Sequence, residues 1–264
     1  MPSPSATMVV WASTWLHGAA AADDVLDALL PWAELHEVIA ADDGTATELD
    51  LPGPDTIPTT LAMLLAALRR CGARSGRLVL PAPGDVRGLG GASPFSAAAR
   101  RSGEAVVLAD GGVGLVPEHI AEGIVRWTVF TLPDMPPAEY VPLGEAEFGL
   151  GEALRDSTAA LTELDVARHR NGVREEITAW LKAQPQLDWP AHMPPRSLRV
   201  LQRATEVQAI LEAAAGDALG GALSATSATA RSDALRPLLA AVRTARCAAV
   251  AEAVRVLADK AGHH

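Results

Sequence analysis

The chain has 264 residues and a formal net charge of −10, with 22 Lys and Arg against 32 Asp and Glu. At roughly 100–200 residues per domain, that length accommodates one large domain or two modest ones. A hydrophobic content of 49% is enough for a buried core and excludes an intrinsically disordered chain.

The acidity is local. Residues 1–68 hold no Lys or Arg and ten acids, from Asp23 to Asp55, while the other 196 residues carry 22 bases and 22 acids. A segment of that sign repels nucleic acid and anionic membrane, so neither is expected as a partner. It suits a basic partner, or solubility alone. The two cysteines, Cys71 and Cys247, fit no metal or redox spacing and read as reduced, buried thiols of a cytoplasmic protein. No apolar run reaches the roughly 18 residues of a spanning helix. Residues 8–22 are apolar but lack a cationic start, so they do not read as a signal peptide.

Along the chain, residues 1–7 read as frayed and Met8–Ala12 as a short strand. Asp23, Asp24 and Asp27 then open a helix carrying Val25, Leu29 and Trp32, with a restart expected at Pro31. Val38–Ala40 suits a short strand and Asp42-Asp43-Gly44 a turn. Thr59 or Thr60 caps a helix that ends at Arg69 and Arg70, with Gly72 beyond it. Arg77–Leu80 reads as a buried strand, residues 83–91 as a loop, and Ser93-Pro94 as a helix start. Residues 104–116 form a hairpin around Asp110-Gly111-Gly112, expected to add an antiparallel edge to a partly parallel sheet. Ile124–Leu132 is a strand with Val125, Trp127 and Val129 on one face.

Four prolines in residues 133–142 mark a linker. After it the helical rhythm dominates. One helix carries Leu150, Leu154, Leu161 and Leu164; a second follows Asn171-Gly172, with Val173, Ile177 and Trp180. A third carries Val200, Ala204, Val207 and Leu211. A small, polar connection, Gly220–Thr229, leads to a last helix striped by Leu235, Leu239, Val242, Ala249, Ala253 and Leu257. The expected fold is an α/β domain over residues 1–132, a mixed sheet with flanking helices. The linker 133–142 joins it to an all-α helical bundle domain over residues 143–264.

The best chemical candidate is the strand, Gly-rich loop and helix start at residues 80–98. Glycines let backbone N–H groups approach a ligand, and a helix N-terminus offers donors and partial positive charge. Here Arg87 would grip a phosphate or carboxylate in bidentate fashion, with Asp85 orienting it. Gly88, Gly90, Gly91 and Ser93 would supply the cradle. The glycine spacing matches neither a P-loop nor a dinucleotide fingerprint, because no Lys-Ser/Thr pair follows and Ser93 replaces the third glycine.

Other chemistry finds no pattern. No His stands three residues after a Glu, HExxH is absent, and His263 and His264 end the chain, so no metal is expected. No Gly-x-Ser-x-Gly elbow occurs and neither Cys adjoins a His. The clusters Asp23/Asp24/Asp27 and Asp42/Asp43 are explained by a helix start and a turn. Arg236, Arg243 and Arg246 share an arc of the last helix, and Trp189 stands in a Pro-rich loop near His192; these four are candidate partner contacts. The function expected is therefore a non-enzymatic binding or scaffold protein without cofactor. It would act through helical surfaces on a protein partner or a second copy. The alternative is an α/β enzyme taking a small anionic ligand at residues 83–94.

Overall fold

The computed structural model describes residues 3–163, 172–216 and 225–262. Leu164, His169, Asn171, Gly220, His263 and His264, used in the sequence reading, lie outside them. The described residues gather into two compact units. An α/β unit takes Ser3–Tyr140, Gln186–Pro194 and the chain from Val250 onward; a helical unit takes Val141–Pro185 and Pro195–Ala249.

The α/β unit begins on a helix, α1 (Pro4–Leu16), where a frayed end and a strand were expected. Ser3 is its N-cap, Pro4 occupies the first turn, and 11 of its 13 residues are buried. The Glu104 carboxylate accepts the Ser5 N–H at 2.9 Å and the Ser3 hydroxyl, placing negative charge at the helix N-terminus. Helix α2 (Ala22–Leu29) carries Asp23 and Asp24 in its first turn, and a 3-10 turn, Leu30–Trp32, forms at Pro31. Asp42 starts helix α3 (Asp43–Leu49) by accepting the Thr45 N–H at 2.7 Å. The turn expected at Asp42-Asp43-Gly44 is thus a helix cap, since Asp serves both uses with the same side-chain acceptor. Helix α4 (Leu61–Arg70) closes on Arg69 and Arg70, with Gly72 at φ +78°.

Five strands form one sheet: β1 (Leu35–Ala40), β2 (Gly76–Val79), β3 (Ala105–Leu108), β4 (Val113–Ala121) and β5 (Ile124–Thr131). Their order is β1-β5-β4-β3-β2. Only β1 and β5 run parallel, with Leu35 opposite Ile124 and Ala40 opposite Val129. The β3–β4 hairpin lies inside the sheet rather than at an edge, because β5 pairs with β4 and β2 with β3. Strand β4 also continues past Val116 and through Pro117 to Ala121.

Helix α5 (Pro94–Ser102) covers one face of the sheet, where Leu89, Phe95 and Ala99 meet Val79, Val107 and Phe130. The Phe95 and Phe130 rings sit edge to face, 5.7 Å apart. A Cβ on Gly114 would come within 2.6 Å of the Phe95 ring, so β4 needs a glycine there. The opposite face buries Leu78, Val106, Leu115, Val125, Trp127 and Val129, and α1 lies against β2 and β3.

The helical unit holds α6 (Leu143–Glu163), α7 (Val173–Lys182), α8 (Pro195–Gly216) and the first part of α9 (Ala225–Ala261). Leu143, Ala146 and Leu150 of α6, Val200, Ala204 and Val207 of α8, and Leu238, Val242 and Ala249 of α9 share one core. Helix α9 starts at Ala225, within the stretch expected to be a connection. Val242, Ala249, Ala253 and Leu257 of the expected stripe are buried and Leu235 packs against the core, while Leu239 is 37% exposed and Leu238 stands in the core instead. Among the described residues, no helix is long and apolar enough to cross a membrane.

Candidate functional site

The Gly-rich loop starts with a tight turn. Ala82 and Asp85 exchange two backbone hydrogen bonds of 2.9 Å, with Pro83 and Gly84 (φ +79°) between them. The turn aims Asp85 at Arg87. The Arg87 Nε and Nη2 donate to the two Asp85 oxygens at 2.8 and 2.7 Å, and a Glu139 oxygen lies 3.6 Å from Nη1. An incoming anion would have to compete with two carboxylates for that guanidinium.

The glycines serve the loop's own path. The Gly88 carbonyl accepts from Arg77, Gly90 (φ +73°) packs on Pro136, and Leu89 between them is buried in the α5 core. Gly91 is exposed with open space where a Cβ would stand. Ser93 closes its own helix. Its hydroxyl accepts the Ser96 N–H at 3.1 Å, and the Ser96 hydroxyl accepts the Ser93 N–H at 2.9 Å. Pro94 brings no N–H to that helix start. The structure therefore joins Asp85 to Arg87, and it spends on internal bonds several of the donors an anion would use.

The candidate partner residues differ in exposure. Arg236 is exposed and pairs with Asp233 one turn back. Arg243 is half-buried, and Arg246 is buried at 7% exposure beside the Val242–Ala249 stripe. Trp189 is half-buried in the segment 186–194. There the Trp11 indole N–H donates to the Asp188 carbonyl at 3.0 Å, and Pro190 and Met193 are buried. A residue that sequence reasoning passed over is Phe148, 67% exposed on α6. The signal was present: Phe148 is out of phase with the Leu143, Ala146 and Leu150 stripe.

Clefts open on the α/β unit. One, about 940 Å³, lies between the end of α1 (Thr14, Gly18, Ala19), Pro190–His192, and the last turns of α9 from Arg255 to Ala261. Leu257, Thr14 and Pro190 are its buried lining. On its rim Arg255 is held by Glu252 at 2.8 and 2.9 Å and by Asp259 at 2.9 Å. The Glu252 hydrogen bonds and charge, with Asp259 behind them, raise the Arg255 pKa beyond the ordinary arginine value. Another, smaller cleft of about 450 Å³ lies between Ala82, Pro83, Gly84 and Val86 of the loop and Ala97, Arg100 and Arg101 of α5. No local motif marks the larger cleft, because its walls come from three distant stretches of chain.

Perturbed groups elsewhere include His36 and Cys71. His36 on β1 is buried; Trp127 on β5 donates its indole N–H to Nδ1 at 3.1 Å, and Nε2 donates to the Leu29 carbonyl at 2.9 Å. Desolvation lowers the His36 pKa despite the Leu29 bond. Both nitrogens are matched to the neutral ring, since a proton on Nδ1 would face the indole donor. Burial pushes the half-buried Cys71 thiol up, away from the thiolate a nucleophile needs.

The chain matches the family model described as Rv1486c-like protein, N-terminal domain, over residues 5–140, and its C-terminal domain counterpart over residues 144–247. "Uncharacterized protein Rv1486c" of Mycobacterium tuberculosis H37Rv is 39% identical over 279 aligned positions, covering 94% of this chain and 96% of that one. "Uncharacterized protein ML1804" of Mycobacterium leprae is 34% identical and "Uncharacterized protein MAV321" of Mycobacterium avium 32%, each at the same coverage. No solved structure matches.

Proposed function

The chain belongs to the Rv1486c-like family, and we propose that it is a non-enzymatic binding or scaffold protein whose helical surfaces meet a protein partner or a second copy. The observation that supports this most is Phe148, an aromatic ring two-thirds exposed on α6. Burying such a ring on association is worth much and costs little side-chain entropy, which makes it an interface anchor. Ile210 of α8, 45% exposed, adds apolar surface in the same unit. We further propose that the helices pack as a bundle around the Leu143–Ala249 core, that residues 133–142 are the linker, and that the compartment is the cytoplasm.

Light scattering across a wide concentration range tests self-association. The wild-type chain is expected to self-associate and Phe148→Ser to shift it toward monomer. A wild-type chain that is monomeric throughout, and whose thermal stability Phe148→Ser leaves unchanged, would overturn the second-copy form of the proposal.

The second reading, an anion-binding α/β enzyme at residues 83–94, draws support from the strand, loop and capped-helix order that the chain adopts there. The Arg87 fork with Asp85 weighs against it. Its test is thermal unfolding with added phosphate: this reading expects a stabilisation that Arg87→Ala removes. No phosphate effect in the wild type retires it.

A further inference from the structure

We infer that the 940 Å³ cleft at the end of α1 and α9 is a binding site for an amphipathic anion, specifically an aliphatic carboxylate. This site is independent of the helical surface proposed above, since every lining residue belongs to the α/β unit.

Size and lining come first. The volume falls in the range of small-molecule sites, which are concave, mainly apolar and carry a few placed polar groups. Ala19, Pro190, Ala191, Val256, Leu257 and Ala261 provide the apolar wall. Leu257 and Pro190 are buried, so an alkyl chain would reach packed side chains rather than a film of surface groups.

Charge then selects the head group. Arg255 is taken up by its fork with Glu252 and by Asp259. Lys260, one helical step further, lines the cleft and makes no ion pair among the described residues. His192 lines it from the loop opposite and likewise has no side-chain hydrogen-bond partner among them. An ammonium and an imidazole N–H at the mouth of an apolar cleft suit a carboxylate, which accepts both. Asp259 also lines the cleft, but its carboxylate is held by Arg255 at 2.9 Å, so an amine would meet Lys260 as a like charge. Thr14 offers only an acceptor lone pair, because its hydroxyl donates to the Val10 carbonyl at 2.7 Å.

The three-segment construction also gives the site a natural reporter. Trp11 holds the loop through the Asp188 carbonyl, and Trp189 is in that loop beside Pro190. Seating a chain against Pro190 should perturb their fluorescence.

The experiment uses the full chain and three probes with the same eight-carbon chain, octanoate, octan-1-ol and octylamine, followed by isothermal titration calorimetry and tryptophan fluorescence. Octanoate is expected to bind saturably and most tightly, with octylamine weakest. Lys260→Met should weaken octanoate roughly tenfold, toward the alcohol, and leave the alcohol unchanged. Ala191→Phe, at an exposed wall position, should fill the cleft and weaken octanoate and the alcohol alike. Both substituted side chains are exposed, and thermal unfolding of each variant verifies that it folds. The inference is overturned if octanoate shows no saturable binding, if octylamine binds as tightly, or if either variant leaves octanoate affinity unchanged. Binding only to anionic phosphatidylglycerol vesicles, and not to free octanoate, would also overturn it and mark a lipid surface instead.

Discussion

At the scale of single residues, Gly114 and His36 are two constrained positions. Gly114 sits under the Phe95 ring with no room for a methyl group. Gly114→Ala should cost about 1–3 kcal/mol through overpacking, measured as a lowered urea midpoint at unchanged slope. An unchanged midpoint would mean that Phe95 can move aside. For His36 the sign follows from its surroundings. Burial lowers its folded pKa below the ordinary histidine value, so in mild acid the unfolded chain binds a proton that the folded chain refuses. The stability it contributes is complete above the unfolded value and is lost as pH falls toward the folded one. The slope is at most about 1.4 kcal/mol per pH unit. Comparing unfolding of the wild type with His36→Gln across that window isolates this share: the variant is expected to lose the slope. Equal slopes would remove His36 as the cause. Neither residue stood out in the sequence, because a glycine in a strand and a histidine beside a helix look the same whether or not something packs on them.

Secondary elements were legible where the burial pattern is one-sided. Strand β5 alternates, and its buried face of Val125, Trp127 and Val129 is the one expected from period-two spacing. Helix α5 announced itself through Ser93-Pro94, and α4 through its terminal arginines and Gly72. Helix α1 failed for the opposite reason. It is buried nearly all round, so it shows no amphipathic stripe, and its β-branched core reads equally as strand. Its first residues looked frayed because what orders them, Glu104, lies about 100 positions away in the chain. Substituting Glu104→Ala should therefore cost about 1–3 kcal/mol, as a charged acceptor is withdrawn from two donors at a helix start. Hydrogen exchange of the α1 amides should rise with it; protection unchanged in α1 would show that packing alone orders this end. The loop at residues 83–94 was read correctly as a loop before a capped helix. The contact between Asp85 and Arg87 is the one expected; what escaped was Glu139, which reaches Arg87 from a second segment.

For the whole molecule, the charge of −10 originates in residues 1–68, and the structure shows where those acids find cations. Glu37 pairs with Arg126 across β1 and β5, and Asp50 lies 3.6 Å from Arg70 at the end of α4. Asp24 and Asp42 are spent on helix caps. The exposed Asp50–Arg70 pair contributes about 0–1 kcal/mol, while an excess of one sign repels itself. Added sodium chloride is therefore expected to raise the thermal midpoint modestly by screening; a midpoint that falls with salt would show that the pairs outweigh the repulsion. Composition and periodicity alone determined the mixed sheet with flanking helices, the change to helices after the prolines, the Ser93-Pro94 helix start and the end of α4. Those are local properties: they depend on spacing along one segment and on side chains within a few residues of the backbone they satisfy. Only the tertiary structure decided that the hairpin is central, that α1 is core, that Arg246 is buried, and that Thr14, His192 and Lys260 line one cleft. Each of those facts depends on which distant surfaces exclude water together, and nothing in the spacing of a single segment encodes its neighbour.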